Sequence, residues 1–285
     1  MKKTLFFFCP VLVGSFFLLQ TKDNEPSFNL DALRAEAIAC APGGQDVYIR
    51  ADKKFIGLLP GWGDHSYTIT TSNDSAQVYF NQGLSMYYSY HAREALASFR
   101  EAARLDSNSA MAYWGQALAM GPSYNYGYSY KMGQHVPAAL SKMNRAAAFA
   151  SEKEKDLIAA MNQRYDVIDT TDKNRSTLNA AYAEALRPLV KKYPDDIDIK
   201  ALYTDAVMLI HAWDFWNNDG TPKAWTPELV KNCEEILAKD GQHPGGLHYY
   251  IHVTEASRAP EVALPAADSL IKLYPGIAHM VHMSS

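Results

Sequence analysis

The sequence predicts an all-α protein, a right-handed helical solenoid of stacked helix pairs preceded by a small irregular or hairpin N-terminal segment. Three observations lead there. Apolar residues fall at helical spacing through most of residues 76–285. Helix start and stop residues bracket each apolar stretch. A helix-pair pattern also returns after 34 residues: Tyr79, Gln82, Gly83, Leu84 and Met86 are followed at that offset by Tyr113, Gln116, Ala117, Leu118 and Met120. Five matches at one offset imply an internal duplication.

Taken in order, Met1-Lys2-Lys3 and the apolar run Leu5 to Leu19 have the form of a secretory signal, or of a membrane anchor if it is retained, over residues 1–22. Export to the periplasm or cell envelope follows as the expected location. Residues 23–75 read as an N-terminal helix from Ser27 to Ala41, a hairpin between Asp46 and Leu59, and a linker containing His65. The spacing gives His65 no partner. Cys40 and Cys233 are too far apart in sequence to decide between a disulfide and two thiols.

From Gln77 the helical period takes over, and 76–285 forms the repeat domain. The second repeat is interrupted by Gly121-Pro-Ser-Tyr124-Asn125-Tyr126-Gly-Tyr-Ser-Tyr130, where rigid rings with polar tips make Tyr124, Asn125 and Tyr126 candidate ligand-binding residues. Capping of neighbouring helix ends by the same rings is the competing role. Ser151-x-x-Glu154 is a capping box that opens the helix Glu152 to Val167. A helix follows from Ser176 to Tyr193, with Pro188 inside it, and another runs from Ile197 to Trp213. The cluster His211, Trp213, Asp214 and Trp216 at the end of that helix offers further ligand-binding candidates in His211, Trp213 and Asp214. A buried aromatic plug is the alternative. Thr226-Pro227 opens the helix that ends near Lys239, with Thr226 expected as its N-cap.

Five of the nine histidines lie between His243 and His282. If Pro244 opens a helix, His248, His252 and Glu255 share one face, within about 60° of each other at roughly 100° per residue. Two imidazoles one turn apart with a carboxylate on the next turn can converge on a divalent metal ion, with His279 and His282 completing or doubling the site. The metal candidates are therefore His243, His248, His252, Glu255, His279 and His282. In a metal-free variant His252 and Glu255 are the catalytic candidates, Glu255 orienting His252 as a general base. The competing role is structural, with the rings filling polar pockets between helices.

The pattern Tyr79, Gly83, Ala95, Phe99 and Ser107 resembles the tetratricopeptide repeat family. Phe80-Asn-Gln-Gly-Leu84, Phe99-Arg-Glu-Ala-Ala103 and Met111-Ala-Tyr-Trp-Gly115 are similar in wording to exported bacterial proteins of that kind. That group also carries the segments seen here as His243-Pro-Gly-Gly-Leu-His248-Tyr-Tyr-Ile-His252-Val-Thr-Glu255 and Pro275-Gly-Ile-Ala-His279-Met-Val-His282-Met283. The resemblance implies a repeat fold and export; the similar proteins run on further than Ser285, which leaves a fragment and a naturally shortened form both open, and the resemblance implies no particular reaction.

Two functions remain. One is a scaffold whose concave face binds a protein, a peptide or a small-molecule ligand. The other is a metal-dependent hydrolytic or oxidative enzyme with its His/Glu site on the same scaffold. A formal charge of -4, with no basic stripe, argues against nucleic acid as a partner. Membrane contact is expected only through an uncleaved N-terminal segment. No nucleophile elbow, phosphate-binding glycine loop or dinucleotide fingerprint occurs.

Overall fold

The computed structural model describes residues 49–125 and 130–285. The predicted leader, the Ser27 to Ala41 helix, Cys40 and Tyr126 lie outside the described residues. Eleven α-helices follow in order: α1 (Asp74–Tyr88), α2 (Ala92–Leu105), α3 (Ala110–Ala119), α4 (Val136–Ala146), α5 (Glu152–Gln163), α6 (Arg175–Lys192), α7 (Ile197–Ile210), α8 (Thr226–Lys239), α9 (Pro244–Thr254), α10 (Leu264–Leu273) and α11 (Ala278–His282). Neighbours in sequence pack side by side, from α1 to α4 and again from α5 to α10. The helix α9 also meets α1 and α7, so the array brings its late helices against its first.

The duplicated stretch occupies α1 and α3, with α2 between them. Phe99 of α2 is fully buried there. A Cβ on Gly83 would sit 2.7 Å from the Phe99 ring, and one on Gly115 would sit 2.4 Å from it. Two backbones thus close on one ring. The capping box is present: Ser151 Oγ accepts from the Glu154 amide, and Glu154 Oε2 accepts from the Ser151 amide at 2.7 Å. Pro188 lies inside α6. Thr226 is the first residue of α8, not its cap, and its hydroxyl donates to the Phe215 carbonyl. Cys233 is a buried free thiol on α8.

Over the described residues 49–59 of the expected hairpin no strands pair. Among the described residues Arg50 to Lys54 form only a tight turn, with the Arg50 amide donating to the Lys54 carbonyl at 2.8 Å and no strands flanking it. The chain continues as an extended strap along α1 and α2. A strap without a sheet must satisfy its amides elsewhere. It does so on side chains: Gln82 accepts from the Leu59 amide (2.7 Å) and donates to the Gly57 carbonyl (3.2 Å). Gln77 accepts from the Ile69 amide (3.0 Å) and donates to the Tyr67 carbonyl (2.8 Å). Asn81 receives the Tyr67 amide, and Glu154 receives that of Thr70. The apparent alternation around Phe55 and Ile56 reflects an extended chain bound to a helix, not strand pairing.

The insertion after α3 is held from within. Arg164 is 1% exposed, and its guanidinium donates to the carbonyls of Leu118 (3.4 Å) and Pro122 (2.9 Å) while lying over the Tyr182 ring. Tyr165 donates to the Ala117 carbonyl at 2.6 Å, and Tyr130 to that of Met120 at 2.9 Å. Leu118, Met120 and Pro122 thus have their carbonyls tied down where α3 ends. Tyr124, two residues on from Pro122, is buried.

Candidate metal centre

Pro244 opens α9 as its sequence requires, and this decides the role of His243. That residue is the N-cap: its Nδ1 accepts from the Gly246 amide at 3.0 Å. A neutral ring that accepts at Nδ1 holds its proton on Nε2. His243 Nε2 accordingly donates to Asp198 Oδ1 at 3.3 Å. The same oxygen receives His65 Nε2 and the Tyr88 hydroxyl, each at 2.9 Å. His65, Asp198 and His243 lie close enough together to suit an ion. Yet all three contacts are donors satisfying one buried carboxylate. The cluster is a latch fastening the strap to α7 and α9.

The second cluster is arranged in the opposite sense. His248, His252 and His279 offer nitrogens that all lie within 4.8 Å of one another. His248 Nδ1 lies 2.6 Å from the Tyr88 carbonyl, which can only accept, so the proton is on Nδ1 and the Nε2 lone pair is free. His252 Nδ1 donates to Glu255 Oε1 at 3.1 Å. Its Nε2 is buried and has no partner among the described residues. His279 Nε2 faces His248 Nε2 at 3.0 Å. As His248 accepts there, His279 donates, and it becomes a third lone pair by moving its proton to Nδ1.

Two nitrogens bound to one tetrahedral ion at about 2.0–2.1 Å are separated by roughly 3.3 Å, so the 3.0 Å pair fits and a separation of 4.8 Å must close by about 1.5 Å. Burial, reinforced by the neighbouring His252 and His279, holds His248 well below the usual histidine range. Burial, then His252, His91 and His282, brings His279 down to about 4. These two rings are neutral near pH 7, the state in which imidazole ligates.

The surrounding shell is aromatic. Tyr90 packs on His248 at 4.5 Å between centroids, and it also touches His252 and His279. It occupies the left-handed position of a Schellman turn closing α1, with φ +58; the Tyr90 amide donates to Tyr87 and the His91 amide to Met86. Glycine is the usual residue there. Trp213, just past α7, also has a left-handed backbone at φ +61, and its ring meets His252 edge-on at 5.8 Å. Two large rings in conformations that disfavour side chains thus border this cluster, Tyr90 against all three histidines and Trp213 against His252. Such strain gathers at functional sites.

Among the expected ligand-binding residues, Tyr124 and Trp213 come together, 5.0 Å apart, next to His252. His211 turns away to stack on Trp225, and Asp214 pairs with Lys223 at 3.1 Å. Asn125 has a buried Oδ1 without a partner among the described residues. Of the expected metal ligands, His248, His252 and His279 converge, Glu255 stands behind His252, His243 belongs to the latch, and His282 is exposed with its ring 6.0 Å from that of His279. Sequence reasoning missed Tyr90 and Asp198, the partner of His65.

Comparison with protein-family models, with curated proteins and with solved structures finds no match. Among the described residues no helix is long and apolar enough to cross a membrane.

Proposed function

We propose that the chain carries a divalent metal centre, of the three-histidine kind that suits zinc, and is a metal-dependent hydrolytic enzyme. His248, His252 and His279 would be the ligands, with the fourth position of a tetrahedral ion left for substrate. What carries this reading is the allocation of ring nitrogens: in His248 and His252 the Nδ1 protons are spent outward, on the Tyr88 carbonyl and on Glu255, so that both Nε2 lone pairs face inward. Metal-binding histidines are oriented in this way by their outer partners. A divalent ion held there would supply Lewis-acid polarisation of a substrate oxygen. Glu255 orients His252, and its half-exposed carboxylate lies at the edge of a cavity of ≈ 380 Å³ that it shares with Ile251, Leu264 and His282.

The tetratricopeptide resemblance, the right-handed sense of the array and export belong to the same proposal. They are supported by the duplication across α1 and α3 and by the composition of residues 1–22. A scaffold binding extended peptides is the second reading, favoured by Gln77 and Gln82, each of which grips an amide and a carbonyl of an extended segment. That segment is the chain's own strap, so those groups are already taken and the metal reading stands first.

The test is the metal content of protein purified without chelators and titrated with zinc, beside a His248→Ala/His252→Ala double variant. One tightly held equivalent that disappears in the variant is the expected result. No retained metal in either protein, with unchanged melting, defeats the proposal.

A further inference from the structure

Trp213 stands out as a large ring that nothing in the packing requires. It is 62% exposed, and its backbone lies in the left-handed region at φ +61. An exposed tryptophan forgoes burial, and a side-chain-bearing residue at that φ adds a conformational cost. Yet the ring is placed with care. Its edge meets His252, and Tyr124 lies 5.0 Å from it at a 30° tilt. Tyr124 is itself 1% exposed and stacked nearly parallel on Phe215, 5.9 Å away. Buried rings therefore support an exposed one directly beside the His252 ligand.

We infer that Trp213 is the stacking platform for substrate at this centre, and that the substrate class is an aryl ester, whose hydrolysis releases a phenol; phenols and catechols are then product-like ligands. The inference rests on the metal reading above. A flat ring laid on Trp213 gains offset stacking. The ring carries its oxygen towards the inward nitrogen of His252, whose Nε2 is buried and unpartnered among the described residues. The rings touching the platform are Tyr124 and His252, a surround that suits an aromatic face. Trp213 is a specificity residue in this scheme and ligates nothing.

The probes are 4-nitrocatechol, whose visible band reports coordination, and acetohydroxamate, a ring-free chelator followed by calorimetry. Zinc-loaded wild type, Trp213→Phe and Trp213→Gly are compared; glycine is chosen because it relaxes the left-handed backbone and keeps the fold. The expected result is equal metal content and equal acetohydroxamate affinity in all three. For 4-nitrocatechol, Trp213→Phe should match wild type and Trp213→Gly should bind about three- to tenfold more weakly. Equal 4-nitrocatechol affinity in all three, while both chelators still bind, overturns the platform and leaves the metal centre standing. A wild type that holds zinc but binds neither probe likewise overturns the platform alone. A wild type that holds no zinc overturns both.

Discussion

His248 Nδ1 sits 2.6 Å from the carbonyl oxygen of Tyr88, a contact that joins α9 to the C-terminal end of α1 across 160 residues of sequence. A backbone carbonyl cannot donate, so this one bond sets the tautomer of a fully buried ring and turns its lone pair towards His279. The carbonyl is one of the orphans at the end of a helix, where an N–H donor is needed anyway. The bond that caps the helix also orients the ring of a proposed ligand.

Asparagine and alanine separate those two roles. The amide of a His248→Asn side chain can reach the Tyr88 carbonyl much as Nδ1 does, whereas it offers nothing at the Nε2 position. Both variants should lose the metal. His248→Ala should in addition be less stable than His248→Asn by about 1–3 kcal/mol, since it leaves the buried carbonyl unpaired. Urea unfolding of the metal-free forms measures the difference, and equal midpoints would show that the carbonyl finds another partner.

In the proposed centre Glu255 would act through His252. Its Oε1 is 3.1 Å from His252 Nδ1, and its side chain is 40% exposed, so the fold hardly depends on it. Glu255→Gln keeps the shape and loses the charge that strengthens the ligand. Zinc affinity should fall by about 10- to 100-fold with melting almost unchanged. Competition against a chromogenic chelator gives the number. An unaltered affinity would place Glu255 outside the centre.

The latch predicts an acid limb in stability. Burial alone would raise the Asp198 pKa, but the imidazole N–H groups of His65 and His243 aimed at it hold the carboxyl well below the usual carboxylate range. A carboxyl whose folded pKa is depressed stabilises the native state above its unfolded pKa, about 4, and that contribution drains away as pH falls further. Wild type should therefore lose stability steadily below about pH 4. Asp198→Asn should be weaker at pH 7 by about 2–3 kcal/mol, because it trades an ionic acceptor of three donors for a neutral one. Its stability should also fall less steeply with acid. Parallel pH profiles for the two proteins would remove Asp198 from the latch.

The site was legible in the sequence only where local periodicity could reveal it. His248 and His252, four apart, fall on one face of α9, and that face is the one that turns inward. His279 and His282 looked equivalent, but α11 is five residues long, and a three-residue step turns His282 out to solvent while His279 faces His248. His243 misled for a different reason: Pro244 puts it at the cap, where its ring serves the backbone of α9 instead of that face. The latch was illegible because His65 and Asp198 are 133 residues apart. Helix existence was plain across residues 76–285, whereas the strap imitated alternation because an extended chain has a period of two whether or not it joins a sheet.

Tyr90 had no sequence signal at all, since a left-handed helix end ordinarily announces itself with glycine. Its ring is buried against His248, His252 and His279, while its hydroxyl is buried without a partner among the described residues. Ring and hydroxyl are thus separable. Tyr90→Phe removes a polar group that makes no described bond and should leave stability within about 1 kcal/mol of wild type, with zinc affinity unchanged. Tyr90→Gly relieves the backbone at φ +58 but empties the space the ring fills. The relief is about 1 kcal/mol against a cavity cost of about 3–5 kcal/mol, so the variant should be destabilised. Its histidines, no longer confined by the ring, should bind zinc more weakly. If Tyr90→Phe instead abolishes zinc binding while melting as wild type does, the hydroxyl reaches the centre and the ring is not what holds the three imidazoles together.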